Sequence, residues 1–142
     1  MHAVPLRLAP TDLRRVLADA LVSLEAQAAH VEVSLRIEGA KDVTATVDAE
    51  KIAWAVTTLV GNALRYVKHG SRLFPGGSIV VRLEQDAGSV TIAVEDDGPG
   101  IPKEKLPFLF RRAPGASQAA GLALSLIHDV VVAHGGSVDV AS

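Results

Sequence analysis

The chain has 142 residues, 49% hydrophobic and 21% charged, a globular composition long enough for one domain that buries roughly two-thirds of its unfolded surface. Fourteen basic residues against sixteen acidic ones give a net charge of −2, which argues against a general nucleic-acid binder. Cysteine is absent, so a disulfide framework and thiolate metal sites are excluded and a reducing compartment fits. No apolar run approaches the ~18 residues of a membrane span, and the N-terminus lacks the apolar core of a signal peptide.

Residues 1–10 read as an extended lead-in, because Pro5 and Pro10 discourage helix. Thr11 is a candidate N-cap, and Leu13, Val16, Leu17, Ala20, Leu21 and Leu24 then fall at helical spacing, which predicts a helix over 12–29. Val31, Val33, Leu35 and Ile37 alternate with polar residues, as in a strand over 31–38 with one buried face. A second short strand follows over 43–47, after a turn at Gly39. Asp48 can cap the next helix, 49–67, whose apolar face is Ile52, Val56, Leu59, Val60, Ala63 and Val67. Residues 68–77 (KHGSRLFPGG) are a loop. Two alternating runs, Ile79-Val81-Leu83 and Val90-Ile92-Val94, flank Asp86-Ala87-Gly88 and predict a β-hairpin. A short helix is expected near 103–110, then a mobile segment over 111–120. An apolar helix runs from Gly121 to His134, Gly135-Gly136 ends it, and Ser137 to Val140 begins a strand. The order predicts an α+β two-layer sandwich, with a mixed, mostly antiparallel sheet and helices on one face.

Three places could carry chemistry. Asp96-Asp97-Gly98-Pro99-Gly100 follows a buried strand; glycine lets backbone approach a ligand, and a fixed carboxylate accepts hydrogen bonds from an amino group. The bland alternative is an acidic turn leaving a hairpin. Thr58, Asn62 and Arg65 form a polar line on a helix that otherwise faces the core. An Asn oxygen can coordinate Mg²⁺ and an Arg can pair with phosphate, although a solvated helix face has the same pattern. Gly121 opens a helix after an Arg-bearing segment, and exposed N–H groups at a helix start favour anions; a loop ending at a buried helix is the alternative. No P-loop sequence is present, and Gly98 and Gly100 lack the third glycine of a dinucleotide fold. The five histidines show no metal spacing, and His134 reads as a helix-closing residue. Trp54 and Phe108 read as core or interface residues, and 4% aromatics is too few for single-strand stacking.

In this order the segments resemble the ATP-binding catalytic domain of sensor histidine kinases, within the superfamily of gyrase, Hsp90 and MutL ATPases. Leu59-Val60-Gly61-Asn62-Ala63-Leu64-Arg65-Tyr66 is similar to the N box. Val94 to Pro102 is similar to the first glycine box, and Leu106-Pro107-Phe108-Leu109-Phe110 to the F box. Gly121-Leu122-Ala123-Leu124, running into Ala133-His134-Gly135-Gly136, resembles the second glycine box and its helix. The resemblance implies ATP and Mg²⁺ as cofactors. It implies that Asp96 accepts from the adenine amino group, with Asp97 turned to solvent. Gly98, Gly100 and Ile101 would wrap the base, and Tyr66 would line the pocket. Asn62 would hold the metal between the phosphates, and Arg65 would touch phosphate. Residues 111–120 would form a lid from which Arg111 or Arg112 reaches the phosphates. Gly121 and Leu122 would begin the helix whose N–H groups meet the triphosphate.

Several positions depart from the pattern. Thr58 stands where the family often has a second Asn and the hydrolytic ATPases a general-base Glu, so fast ATP hydrolysis is not expected. Ala119 and Ala123 replace the outer glycines of the second glycine box, and the lid is short. No histidine has phosphoacceptor context; His30 lies at a helix end. The resemblance therefore implies a lead-in over 1–10 from a helical hairpin not in this chain, and a truncated last strand that leaves a sheet edge for docking. It implies a cytoplasmic module that passes the γ-phosphoryl group to a histidine on a separate dimerisation and phosphoacceptor domain. Its partners would be that domain and, through it, a response regulator, with no nucleic acid and no direct membrane contact. The rival readings are an anti-sigma-factor-type serine kinase and a scaffold that has lost nucleotide binding.

Overall fold

The computed structural model describes residues 5–71, 73–74, 76–97 and 118–139, apart from the side chains of Tyr66 and residues 118–123. The chain divides into two compact units, one over Leu8–Pro99 and one from Met1–Arg7 with Gly100–Ser142. The expected short helix near 103–110, Phe108 within it, and the expected strand residue Val140 lie outside the described residues.

The first unit opens with strand β1 (Ala9–Asp12) and helix α1 (Leu13–His30). Leu13, Leu17, Leu21, Leu24 and Ala28 recur at helical spacing and are all buried, so one stripe of α1 faces the core. The N-cap is Asp12 rather than the expected Thr11; its carboxylate accepts from the Arg15 N–H at 3.2 Å. Thr11 is held in β1 by pairing with Ala45, and its hydroxyl donates to the Ala9 carbonyl instead. At the far end of α1, Glu32 adopts φ +57° and the Val33 N–H bonds back to the Ala28 carbonyl. Those residues unwind the helix, so strand β2 runs over Ser34–Gly39 and starts later than residue 31.

Strand β3 (Thr44–Val47) does not pair with β2, as a hairpin would require, but runs antiparallel to β1. Gly39 explains why. Its φ is +103°, a Cβ there would collide with the Leu83 carbonyl, and the next N–H, of Ala40, donates to that same oxygen. The chain is thereby turned off the sheet. Strands β4 (Ser78–Asp86) and β5 (Ser89–Asp96) form the expected hairpin around Ala87-Gly88, with Gly88 at φ +92°. β2 lies parallel to β4, giving a three-stranded mixed sheet of order β2-β4-β5 beside the two-stranded β1-β3 sheet.

Helix α2 (Ala49–Tyr66) completes the unit. Val56, Val60, Ala63, Leu64 and Val67 pack with the α1 stripe onto Ile79, Val81 and Leu83, which are fully buried on one face of the sheet. Trp54, expected in the core or at an interface, is 39% exposed and outside that cluster. The opposite sheet face carries a charged row. Arg82 pairs with Glu95 at 3.3 Å and Glu38 at 3.7 Å, and Arg36 with Glu38 at 3.3 Å. The hydrogen bond and charge of Glu95 raise the Arg82 pKa further above its ordinary value.

In the second unit, helix α3 spans Gln118–Ala133. It starts one turn before Gly121, so Gly121 and Leu122 lie inside it, and 118–120 of the expected mobile segment are helical. Its end follows the sequence closely: Gly135 takes φ +81°, its N–H bonds the Val132 carbonyl, and the Gly136 N–H bonds Val131. His134 Nδ1 lies 2.8 Å from the Val130 carbonyl, as a helix-closing residue should. Residues 137–139 form no strand, because no partner pairs with them among the described residues. No helix among the described residues is long and apolar enough to cross a membrane.

Two stability predictions follow from α2. Asp48 is buried at 3% exposure and caps the helix through the Lys51 N–H at 3.2 Å. Asp48→Ala should cost about 1–2 kcal/mol in urea unfolding, and Asp48→Asn should recover most of it. A Cβ on Gly61 would meet nothing within 4 Å. Gly61→Ala should therefore stabilise by about 0.5–1 kcal/mol, read as a rise in Tm of a few degrees.

Candidate nucleotide site

The site begins with the rotation of α2. Burial of Val56, Val60, Ala63, Leu64 and Val67 fixes which side faces the sheet. Thr58, Asn62 and Arg65 then fall on an arc away from it, since each step turns about 100°. Arg65 is exposed and Asn62 is half-buried at the edge of the packed face. Neither side chain has a hydrogen-bond or ion-pair partner among the described residues. The Thr58 hydroxyl donates to the Trp54 carbonyl at 2.8 Å, so it is committed to its own helix. Tyr66 is the last residue of α2.

Helix α2 stops at once afterwards. Val67 takes ψ 149°, and His69 Nε2 lies 2.7 Å from the Leu64 carbonyl, satisfying one of the oxygens a helix end leaves without a backbone partner. The 68–77 loop is tied at its base by Gly70 N–H to Val31 O, Gly76 N–H to Glu32 O and Gly77 N–H to Lys68 O.

The second component is the end of β5. Val90, Ile92 and Val94 pack against the core. Side chains alternate along a strand, so Asp96 continues that row on the face that carries α2, while Glu95 joins the opposite row with Arg82. Helix α2 and β5 pack against each other, so Asn62 and Asp96 belong to one unit. Asp97 is exposed, and its carboxylate is also tied to the chain: one oxygen accepts from the Ser78 N–H at 2.8 Å and the other from the Ser78 hydroxyl at 3.4 Å. Sequence reasoning missed this contact, because Ser78 and Asp97 meet only once the β4–β5 register is set.

Of the remaining expected site residues, Gly98, Gly100, Ile101, Arg111 and Arg112 lie outside the described residues. Gly121 and Leu122 are in α3, past the N–H groups that a helix start leaves unpaired. Among the described residues no group of three His, Asp or Glu could hold a metal by itself. A phosphate-bridged Mg²⁺ needs less: it takes oxygen ligands, keeps several waters, and is often held by one or two protein oxygens with the substrate's phosphates. The uncommitted Asn62 amide beside the open space at Gly61 fits that demand.

Residues 47–142 match the family of histidine kinase-, DNA gyrase B- and HSP90-like ATPases, and the chain belongs to that family. Among curated relatives, it is 37% identical over 97 residues to the signal transduction histidine-protein kinase/phosphatase MprB of Mycolicibacterium smegmatis, covering 64% of this chain and 18% of that protein. It is 30% identical over 134 residues to the sensor protein kinase PmrB of Pseudomonas aeruginosa, covering 91% of this chain and 27% of the other. The chain thus spans about a fifth to a quarter of the curated relatives it matches. Among solved structures, it superposes on a mycobacterial sensor histidine kinase MprB with a TM-score of 0.74 and 25% identity, over 91% of this chain and 81% of that one. The matched relatives are sensor histidine kinases, and the shared segment is their ATPase-type catalytic domain.

Proposed function

We propose that this chain binds ATP with Mg²⁺ and delivers the γ-phosphoryl group to a histidine on a separate dimerisation and phosphoacceptor domain of a cytoplasmic two-component sensor kinase. A response regulator is the downstream partner. The observation that carries this reading is the presence of two candidate recognition groups on elements that pack together in one unit. Asn62 is uncommitted on α2, and Asp96 sits on the α2-facing row of β5. Family membership supports ATP as the nucleotide.

The chemistry asks mainly for positioning and charge neutralisation. Asp96 accepts a hydrogen bond from the adenine amino group and sets the base. Asn62 supplies an oxygen to the metal, which when bound neutralises charge on the phosphates. Arg65, exposed one turn on, contacts a phosphate oxygen. The family pattern assigns Gly98, Gly100 and Ile101 to the base, Tyr66 to the pocket wall and Arg111 to a phosphate; Gly121 and Leu122 lie inside α3, one turn past its start at Gln118. The incoming imidazole nitrogen bonds to the γ-phosphorus as the bond to the β–γ bridging oxygen breaks, and ADP leaves. The Thr58 hydroxyl is spent on its own helix and offers no general base for water, which fits transfer to histidine better than fast hydrolysis.

Titration calorimetry with ATP and ADP, with and without Mg²⁺, tests the reading. The expected result is saturable, Mg²⁺-dependent binding that Asp96→Asn and Asn62→Ala each weaken at least tenfold, a loss of about 1.4 kcal/mol or more. Both positions lie outside the buried core, so Tm should hardly move. Absence of binding by a folded sample at millimolar nucleotide would refute the proposal. With an acceptor domain added, the phosphorylated product should be acid-labile, as phosphohistidine is; an acid-stable product would instead mean a serine kinase.

A further inference from the structure

We propose that Asp97 is a positioning residue. Through Ser78 and Gly77 it locks the end of β5 to the exit of α2, and so sets where Asp96 stands relative to Asn62. The inference rests on the nucleotide reading above for its consequence but not for its geometry.

Three hydrogen bonds join residues 97 and 78. The Asp97 N–H donates to the Ser78 carbonyl at 3.3 Å, extending the β4–β5 ladder one residue beyond its last pair, Ile79 with Asp96. The Ser78 N–H and hydroxyl both donate to the Asp97 carboxylate, at 2.8 and 3.4 Å. The first is charge-assisted, and such bonds are about twice as strong as neutral ones. Gly77 sits directly before this clasp. Its N–H bonds the Lys68 carbonyl, two residues after the end of α2, and its carbonyl accepts from the first N–H of β2, that of Ser34. A Cβ on Gly77 would collide with both the Asp97 carboxylate and the Val67 side chain. The exit of α2, the start of β4 and the end of β5 therefore close on one glycine, with no room for a side chain.

This placement has a direct consequence for the site. Asp96 is one residue before the clasp, and Gly98 is one residue after it. The clasp is the last main-chain tie of β5 before the glycine segment. The carboxylate supplies two acceptor oxygens that reach both Ser78 donors at once.

The test compares Asp97→Ala, Asp97→Asn and Ser78→Ala in the 142-residue chain. The first readout needs no nucleotide: amide resonances and hydrogen exchange. Asp97→Ala should speed exchange at the Ser78 amide. It should also move the resonances of Asp96 and of residues 62–67. Asp97→Asn keeps an oxygen for the Ser78 N–H and should leave both near wild type, as should Ser78→Ala, which removes only the hydroxyl bond. The second readout is ADP affinity. Asp97→Ala should weaken it about tenfold, and Asp97→Asn should restore it to within about threefold, while Tm falls similarly little in both. Resonance changes confined to residues 77–79 and 96–97 would overturn the proposal, as would unchanged ADP affinity in Asp97→Ala. So would an Asn variant as impaired as the Ala variant, which would make charge rather than the clasp the cause. If wild type itself fails to bind ADP, the nucleotide reading falls, and the resonances of residues 62–67 still decide for or against the clasp.

Discussion

The setting of α2 about its own axis is the constraint on which the rest of this structure depends. Six residues from Ala55 to Val67 are buried, and Val60 is fully so. Their spacing leaves the helix little freedom to roll, because a turn of even one residue would carry Asn62 into the sheet and Val60 into water. The same packing that makes the core thus aims the polar line. Burial of side chains of this size is worth roughly 1.5–3 kcal/mol each, while an exposed Arg or half-buried Asn contributes far less. The core sets the angle, and the site inherits it.

The strands supply the complementary half by a different period. Alternation sends Val90, Ile92, Val94 and Asp96 to one face of β5 and Ala93 and Glu95 to the other. The register of β4 with β5 is held by a two-residue turn at Ala87-Gly88, which fixes the pairing up to Ile79 with Asp96. A slip of one residue would put Asp96 on the charged face beside Arg82. The position of the Asp96 carboxylate therefore depends on a turn at the far end of the hairpin.

Much of this was legible in the sequence, and the limits have physical causes. Helix α2, its Asp48 cap and the 78–96 hairpin were readable because each rests on local periodicity and local turn chemistry. Asn62 and Asp96 were readable as candidates for the same reason. What escaped were relations between distant segments. Thr11 and Asp12 are both competent caps, and only the pairing of β1 with β3 decides between them. β2 and β3 look like neighbours in sequence, yet Gly39 and the Leu83 carbonyl part them. β2 instead joins β4 in parallel, a pairing across about forty residues that alternation alone cannot reveal. The start of α3 at Gln118 falls one turn before Gly121, although Ser117, of a type favoured at N-caps, stands just ahead of it in the sequence.

The run Glu95-Asp96-Asp97 shows how such relations make a site. Three adjacent carboxylates repel one another, and each must be offset or exposed. Glu95 is answered by Arg82, whose pKa that contact raises. Asp97 is answered by the N–H and hydroxyl of Ser78. Both lie off the α2-facing row, on either side of Asp96. Both offsets come from β4, and the Asn62 and Arg65 side chains of α2 have no partner among the described residues. Two of the three carboxylates are thus committed to the sheet itself, one through a side chain of β4 and one through the start of that strand.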